Sequence, residues 1–439
     1  MASTIGRKDV IGWSLYDLAN TIYSMNITSL YLKRYIVEDL GRDDRWFDIP
    51  FALSMFLAAL LLPAFGAMSD HSVKKKLFVF LFTLTCCLAV GGMALVPPGA
   101  LIVLVALFVL ANFSYEAGQP FYNALLYSVA DGPAARFVSG FGVSLGYVGS
   151  ILGMVLVLPF VSGELFGLTV PFVTPGGKAG AFVPTAVMFL LLSLPLFLWV
   201  RERPSPSPQA SGLARAYREV WEGIRNTKKY PGVLRFLIAD YFFEDAVATV
   251  VINIGLYCSV VLALDDSRIT AFLIISTVSA VIGSVVIGKI AERVVLKRLL
   301  AGIVWLWIAA LVVFVSTDTM TVVWILGSVV GVALGGLWTV SRPLLGELVP
   351  HDELGRFFGL FSISGRAAAV AGPLIWTSSV YLFRADRPLG RFASDLLALS
   401  PSGQAKLPYK VAVLSLVVMM AVGLIIFRKV PRTERSRHG

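Results

Sequence analysis

The sequence predicts an all-α membrane protein of twelve transmembrane helices, arranged as two pseudo-symmetric six-helix bundles. Three observations carry that prediction. Hydrophobic residues fill 57% of the 439 positions and charged residues only 15%, whereas a soluble domain is about a quarter charged. Apolar runs of about 20 residues recur along the chain, long enough to cross a hydrocarbon core at about 1.5 Å per residue. The two halves of the chain also echo one another at fixed offsets. A net charge of +10 would point to nucleic acid in a soluble protein. Here the charge is sorted by side, so the expected partner is the lipid bilayer and no nucleic acid.

The elements follow in order. Span 1, 11–32, comes after Arg7 and Lys8 and is too long and too polar for the apolar region of a cleavable signal. It is therefore read as retained. Spans 2 to 6, at 49–69, 77–97, 100–128, 138–160 and 182–200, complete an N-terminal bundle over 1–200. A linker over 201–231 opens with an extended proline-serine stretch, Arg201 to Pro208. An amphipathic helix follows, with Leu213, Tyr217, Val220, Trp221 and Ile224 on one face and Arg215, Arg218, Glu222 and Arg225 on the other. It suits a membrane surface, a brace between the halves or a partner-docking site. Spans 7 to 12, at 232–260, 268–290, 298–317, 320–347, 356–383 and 409–427, form a C-terminal bundle over 232–439. The loop over 384–408 shows no functional sign.

An even number of crossings puts both termini on one side, and Lys and Arg decide which. The terminal side holds twenty-four of them and the opposite side eleven, with Arg342 and Arg366 inside spans. Both termini and the linker are therefore expected in the cytoplasm, with the protein multi-pass in a cell membrane, the inner membrane of a prokaryote.

Three echoes support a duplication. Gly140, Gly146 and Gly153 of span 5 recur 219 residues on as Gly359, Gly365 and Gly372 of span 11; small residues at such spacing let helices approach closely. Gly66 to Lys76 after span 2 matches Gly288 to Arg298 after span 8 at an offset of 222. In spans 1 and 7, Asp17 to Asn26 and Glu244 to Asn253 share a nine-residue gap, each running into a tyrosine, Tyr31 and Tyr257.

Gly66-x-x-x-Asp70 with Lys74, Lys75 and Lys76 resembles the signature loop of the major facilitator superfamily. His71 stands where that loop usually has a basic residue, and Val73 where it has glycine. More specific is the opening Gly12-Trp-Ser-Leu-Tyr16-Asp17-Leu-Ala-Asn20-Thr-Ile-Tyr23. With Phe121-Tyr-Asn123-Ala, Ser139 to Tyr147, Tyr241-Phe-Phe-Glu-Asp245 and Phe358 to Ala367, the chain resembles the vacuole-effluxer-like branch. Fungal members of that branch are associated with amino-acid export from the vacuole. The resemblance implies the major facilitator fold, with spans 1, 4, 7 and 10 lining a central cavity. It also implies a cytoplasmic gate at Asp70, Lys74, Lys75, Glu292 and Arg293, where an acid meets a helix N-terminus and basic residues anchor at headgroups.

Charge inside the bilayer marks the candidate site. Asp17, Glu116, Asp240, Glu244, Asp245, Arg342 and Arg366 lie within spans. At roughly 2.5–3.5 kcal/mol each they would cost on the order of 20 kcal/mol facing lipid, so they must face each other or water. Span 4 carries Asn112, Glu116, Gln119 and Asn123 along one helical face, and span 1 carries Asp17, Asn20 and Ser24. Span 10 adds Trp338 and Arg342 four residues apart, and span 11 has Arg366 at the repeat position of Tyr147. These residues are read as cavity and substrate contacts; Asp17 and Arg342 suit a gate equally well. Asp240, Glu244 and Asp245 are the candidates for proton coupling, because neighbouring carboxylates in a poorly hydrated site can load and release a proton.

Other chemistries lack their residues. Cys86, Cys87 and Cys258 sit inside apolar runs, and His71, His351 and His438 at or beyond span ends. There is no phosphate-binding glycine loop, no metal-ligand spacing and no Gly-x-Ser-x-Gly elbow. No cofactor, metal or catalytic residue is expected, and no enzyme. The expectation is a monomeric secondary transporter of a small polar or zwitterionic solute, with amino-acid efflux as the substrate guess. Alternating access driven by protons is its expected mechanism. A proton-driven cation or drug exporter and a non-transporting receptor or assembly factor remain open alternatives.

Overall fold

Helix fills the apolar runs. The computed structural model describes residues 7–71, 74–130, 132–202, 217–218, 221–222, 224–225, 229–349 and 354–431. Each of the twelve predicted spans overlaps a helix, and nine of the described helices are long and apolar enough to cross a membrane unaided. The other three are spans 1, 7 and 11, where ionisable residues or a helix break fall at mid-length.

Contacts divide the chain into two compact units. The first comprises Met1–Arg42 and Leu53–Glu219, the second Asp43–Ala52 and Val220–Gly439. The linker helix predicted over 213–225 lies mostly outside the described residues. Among those described, Tyr217 donates its hydroxyl to the Leu60 carbonyl at 3.0 Å.

In the first unit span 1 outruns its predicted end. Its α-helix, Arg7–Tyr23, continues as π-helix over Ser24–Tyr31 and again over Tyr35–Asp39. Lys33 and Arg34 are thus buried in a helix rather than set in a loop. Their surroundings are ionic: Arg34 pairs with Glu38 at 3.1 Å, and Lys178 pairs with Glu38 at 3.0 Å and Asp39 at 2.7 Å. Spans 2 to 5 are Arg45–His71, Lys75–Met93, Leu101–Val129 and Gly132–Ser162. A short antiparallel ladder pairs Glu164–Leu165 with Leu168–Thr169. A 3-10 turn, Gly177–Ala181, then runs into span 6, Phe182–Trp199.

Span 5 packs on span 1 through glycine, but not through the whole predicted set. Gly146 and Gly153 lie against Thr21 and Ile22, while nothing approaches the Cβ direction of Gly140. Gly149 makes the tightest approach, because a Cβ there would strike the Leu18 carbonyl.

In the second unit, spans 7 to 10 are Pro231–Val260, Asp266–Ala291, Leu296–Ser316 and Met320–Leu348. Span 7 begins on Pro231, tolerated where no intrahelical N–H bond is needed, and the Asp265 side chain caps span 8 through the Arg268 N–H at 2.8 Å. Span 11, predicted continuous, is broken into a first half Leu354–Ala367 and a second half Ala371–Leu382. The break falls beside Pro373, which has no N–H for the Ala369 carbonyl four residues back. The loop over 384–408 holds a helix of its own, Pro388–Leu396, and span 12 starts early, at Pro401–Arg428. Of the second glycine set, Gly372 is closely packed and Gly365 is open, while the surroundings of Gly359 lie outside the described residues.

Large apolar side chains such as Leu60, Leu88, Ile102, Leu198, Val285, Ile325, Val418 and Ile425 are exposed. That is what helices immersed in lipid present.

Candidate functional site

Each unit carries its own polar cluster, and each is built from helix spacing. In the first unit Asp17 is half-buried and Asn20 buried, and the side chains of Asn20 and Tyr122 are polar neighbours of Asp17. Aromatic rings wall this end of span 1. Trp13 stacks on Tyr122 with centroids 4.8 Å apart, and Tyr16 lies 4.6 Å from the same ring. Two reciprocal bonds lock the stack: Trp13 Nε1 donates to the Tyr122 carbonyl at 3.2 Å, and Tyr122 Oη donates to the Trp13 carbonyl at 3.1 Å. Sequence reading assigned no role to Tyr122, although it is the tyrosine of the quoted Phe121-Tyr-Asn123 motif.

The span 4 stripe does not act as one surface. Asn112 is buried, donating to Ser54 Oγ at 2.8 Å and accepting from Tyr23 Oη at 3.3 Å. It braces spans 1, 2 and 4. Glu116 is half-buried beside Tyr23 and Tyr115, whose rings lie 4.9 Å apart. Gln119 and Tyr147 are half-buried, and Asn123 is exposed.

In the second unit spans 7 and 10 bring together what the sequence separates by about a hundred residues. Asp240 is buried and accepts from Ser341 Oγ at 2.9 Å. Glu244, one turn on, accepts from Trp338 Nε1 at 3.0 Å, with the Arg342 guanidinium among its charged neighbours. The i, i+4 pair of span 7 thus meets Trp338, Ser341 and Arg342 on one face of span 10. Ser341 was the member not anticipated, though it lies three residues from Trp338. Asp240 and Glu244 also act on each other electrostatically. Asp245 is fully buried and faces elsewhere, toward span 11, where both of its oxygens accept from the Gly372 N–H at 2.8 Å. Arg366 is half-buried in the last turn before the break.

The predicted gate residues sit at span ends. Lys74 is exposed and Lys75 half-buried at the start of span 3, and Glu292 and Arg293 are exposed just past span 8; the Asp70 side chain lies outside the described residues. The basic residues beside them are tied to protein. Lys76 Nζ donates to the Val200 carbonyl at 2.9 Å, past the end of span 6. Lys297 Nζ donates to the Arg428 carbonyl at 3.0 Å and to the Val430 carbonyl, at the end of span 12. In both halves a lysine of the repeated loop satisfies terminal helix carbonyls.

A further cluster of the second unit gave no sign in the sequence. Asp43, Asp44 and Arg45 line a cavity of about 180 Å³ with Thr377, Tyr381 and Arg384. Asp44 is buried and accepts from Trp376 Nε1 and from Tyr409 Oη, each at 3.2 Å. Arg384 pairs with Asp43 and with Asp386, and Arg387 stands 4.1 Å over the Tyr381 ring. Burial works against the Arg384 charge, but the Asp43 and Asp386 carboxylates outweigh it and raise its pKa above the ordinary value.

The family described as vacuole effluxer Atg22 like matches residues 48–379. An uncharacterized MFS-type transporter of Bacillus subtilis (strain 168), YxiO, is 25% identical over 97% of this chain and 95% of its own length. Autophagy-related protein 22 of Kluyveromyces lactis is 22% identical, covering 84% of this chain and 87% of its own. Among solved structures, a point mutant of the nucleoside transporter NupG aligns with a TM-score of 0.74 at 13% identity, covering 97% of this chain and all of its own. A bacterial homolog of the human lysosomal transporter Spinster, inward-facing and occupied, aligns with a TM-score of 0.71 at 13% identity, covering 95% of each chain. These two likenesses establish the fold alone.

Proposed function

We propose that this chain, which belongs to the vacuole effluxer Atg22-like family and is a membrane transporter of the major facilitator type, carries a small polar or zwitterionic solute such as an amino acid and is driven by protons. With that family membership the reading as a non-transporting receptor falls away, and so does any enzymatic role. The observation that carries the proposal is the span 7 and span 10 cluster. Two mutually interacting carboxylates, Asp240 and Glu244, are held by neutral donors from Ser341 and Trp338, with Arg342 beside Glu244. Neutral donors leave a carboxylate free to exchange a proton, whereas a tight bidentate pair with arginine would fix its charge.

Within each unit the cluster has its own binding chemistry. Asp17 and Glu116 stand among Tyr122, Tyr115 and Tyr23, and acids beside aromatic faces attract an ammonium group. Arg342 and Arg366 supply guanidinium groups that bind carboxylates. Alternating access, cytoplasmic termini and residence in a cell membrane belong to the same proposal.

The test is reconstitution into vesicles with labelled amino acids, with and without an imposed proton gradient. Gradient-sensitive flux that is lost in Glu244→Gln and Arg366→Ala is the expected result. Wild-type flux in both variants would refute the site assignment. A second reading, proton-driven export of organic cations, draws on the excess of acids over arginines among the charged residues within the spans. Flux of cations with no response to amino acids would select it.

A further inference from the structure

Asp245 is built into the break of span 11. Its two oxygens accept from the Gly372 N–H at 2.8 Å, and the Ala371 N–H lies next to it. These are the first two amides of the second half, Ala371–Leu382, and a helix start leaves such amides without intrahelical partners. The third residue, Pro373, has no N–H to satisfy. A local cap is not available. Val370 at the cap position is apolar, and its ψ of −52° is helical, not the extended geometry from which Ser or Asp caps reach back.

Proline alone does not break helices in this protein. Spans 4, 5, 6, 10 and 12 run on through Pro120, Pro159, Pro195, Pro343 and Pro408. What is special at Pro373 is an acid from the neighbouring span within reach of the freed amides. The repeat offers a comparison in which two positions change together, because Met154 stands where Pro373 does. Gly153 packs on Ile22 as Gly372 packs on Thr249, and the offset that relates Ile22 to Thr249 relates Leu18 to Asp245. The half with leucine there has an unbroken span 5, Gly132–Ser162. The half with both aspartate and proline has the break.

On the other side of the break stands Arg366, in the last turn of the first half, where exposed carbonyls favour a cation. The Ala369 N–H turns back onto the Arg366 carbonyl at 3.3 Å and closes that half. We propose that Asp245 is a positioning residue: it caps the second half of span 11, fixes the break at 368–370 and with it the depth of Arg366, and carries no transported proton. The last clause rests on the proton-coupled reading and leaves Asp240 and Glu244 as the coupling groups.

Asn caps a helix about as well as Asp does but binds no proton, so Asp245→Asn separates capping from titration. The experiment compares wild type, Asp245→Asn and Asp245→Ala by amide hydrogen exchange of the 366–378 segment in the purified protein. Labelled amino-acid flux is then measured in vesicles. Exchange at Ala371 and Gly372 is expected to rise about tenfold in Asp245→Ala, the order expected for a lost cap, with flux abolished. Asp245→Asn should keep both within about threefold. Gly372→Ala should reproduce Asp245→Ala, because its Cβ would strike Thr249 Oγ1 and Asp245 Oδ1. Unchanged exchange in Asp245→Ala would overturn the cap. Flux abolished in Asp245→Asn with exchange intact would overturn the exclusion of proton carriage. Should wild type move no amino acid, the transport reading fails, while the exchange comparison still accepts or rejects the cap.

Discussion

At the scale of the residue, burial makes small changes expensive. Asp44 receives the Trp376 indole and the Tyr409 hydroxyl in a buried setting. Asp44→Ala would leave both donors without that acceptor, at roughly 1–3 kcal/mol for each buried orphan. Asp44→Asn keeps an acceptor oxygen and should lose much less. Thermal unfolding of the two variants in detergent checks this, and equal melting temperatures would contradict it. Glu244 differs in kind, because its bond to Trp338 Nε1 is a single neutral contact on a half-buried group. Trp338→Phe retains the acid but frees the oxygen, so flux should fall several-fold while its dependence on the proton gradient survives. Glu244→Gln should remove that dependence. Both are read from initial rates in vesicles with the gradient on and off.

Elements bring other rules into play, because two helices can approach only as closely as their side chains permit. Gly149 lets span 5 touch the Leu18 carbonyl of span 1, whereas Gly140 on the same helix faces open space. Gly149→Ala should cost on the order of 1–3 kcal/mol, the usual range for overpacking, and Gly140→Ala should leave the melting temperature unchanged. Both glycines look alike in sequence, and the predicted repeat set included Gly140 but not Gly149. Spacing narrows the choice to one helix face without saying which turns meet the neighbour. Span 11 teaches a similar lesson. Pro373 marked no break in the sequence, and other in-span prolines, among them Pro63, Pro120, Pro159, Pro195, Pro343 and Pro408, leave their helices whole. Whether a proline breaks its helix depends on what waits to receive the freed amides, and Asp245 is 127 residues away in the chain. The extension of span 1 to Asp39 was hidden for the opposite reason. Lys33, Arg34 and Glu38 read as loop charges until Lys178 and the i, i+4 pairing neutralise them inside a helix.

For the whole molecule, the sorting of Lys and Arg predicts a testable orientation. Twenty-four lie on the terminal side and eleven opposite, so Gly167→Cys should react with an impermeant thiol reagent in intact cells. Ser436→Cys should react only after permeabilisation. The native Cys86, Cys87 and Cys258 are buried and should stay silent. The reverse pattern would invert the topology. The sequence by itself determined the class of protein, the helical spans, their apolar faces and the membrane-spanning positions that carry charge. All of these follow from hydropathy and period, which are properties of neighbouring residues. Only the tertiary structure decided which charge meets which partner: Glu244 with Trp338, Asp240 with Ser341, Asp245 with the break in span 11, and Asp44 with Trp376 and Tyr409. The physical reason is that hydrogen bonds act over about 3 Å, while their partners here lie roughly a hundred to several hundred residues apart, a proximity that packing creates and local pattern does not encode.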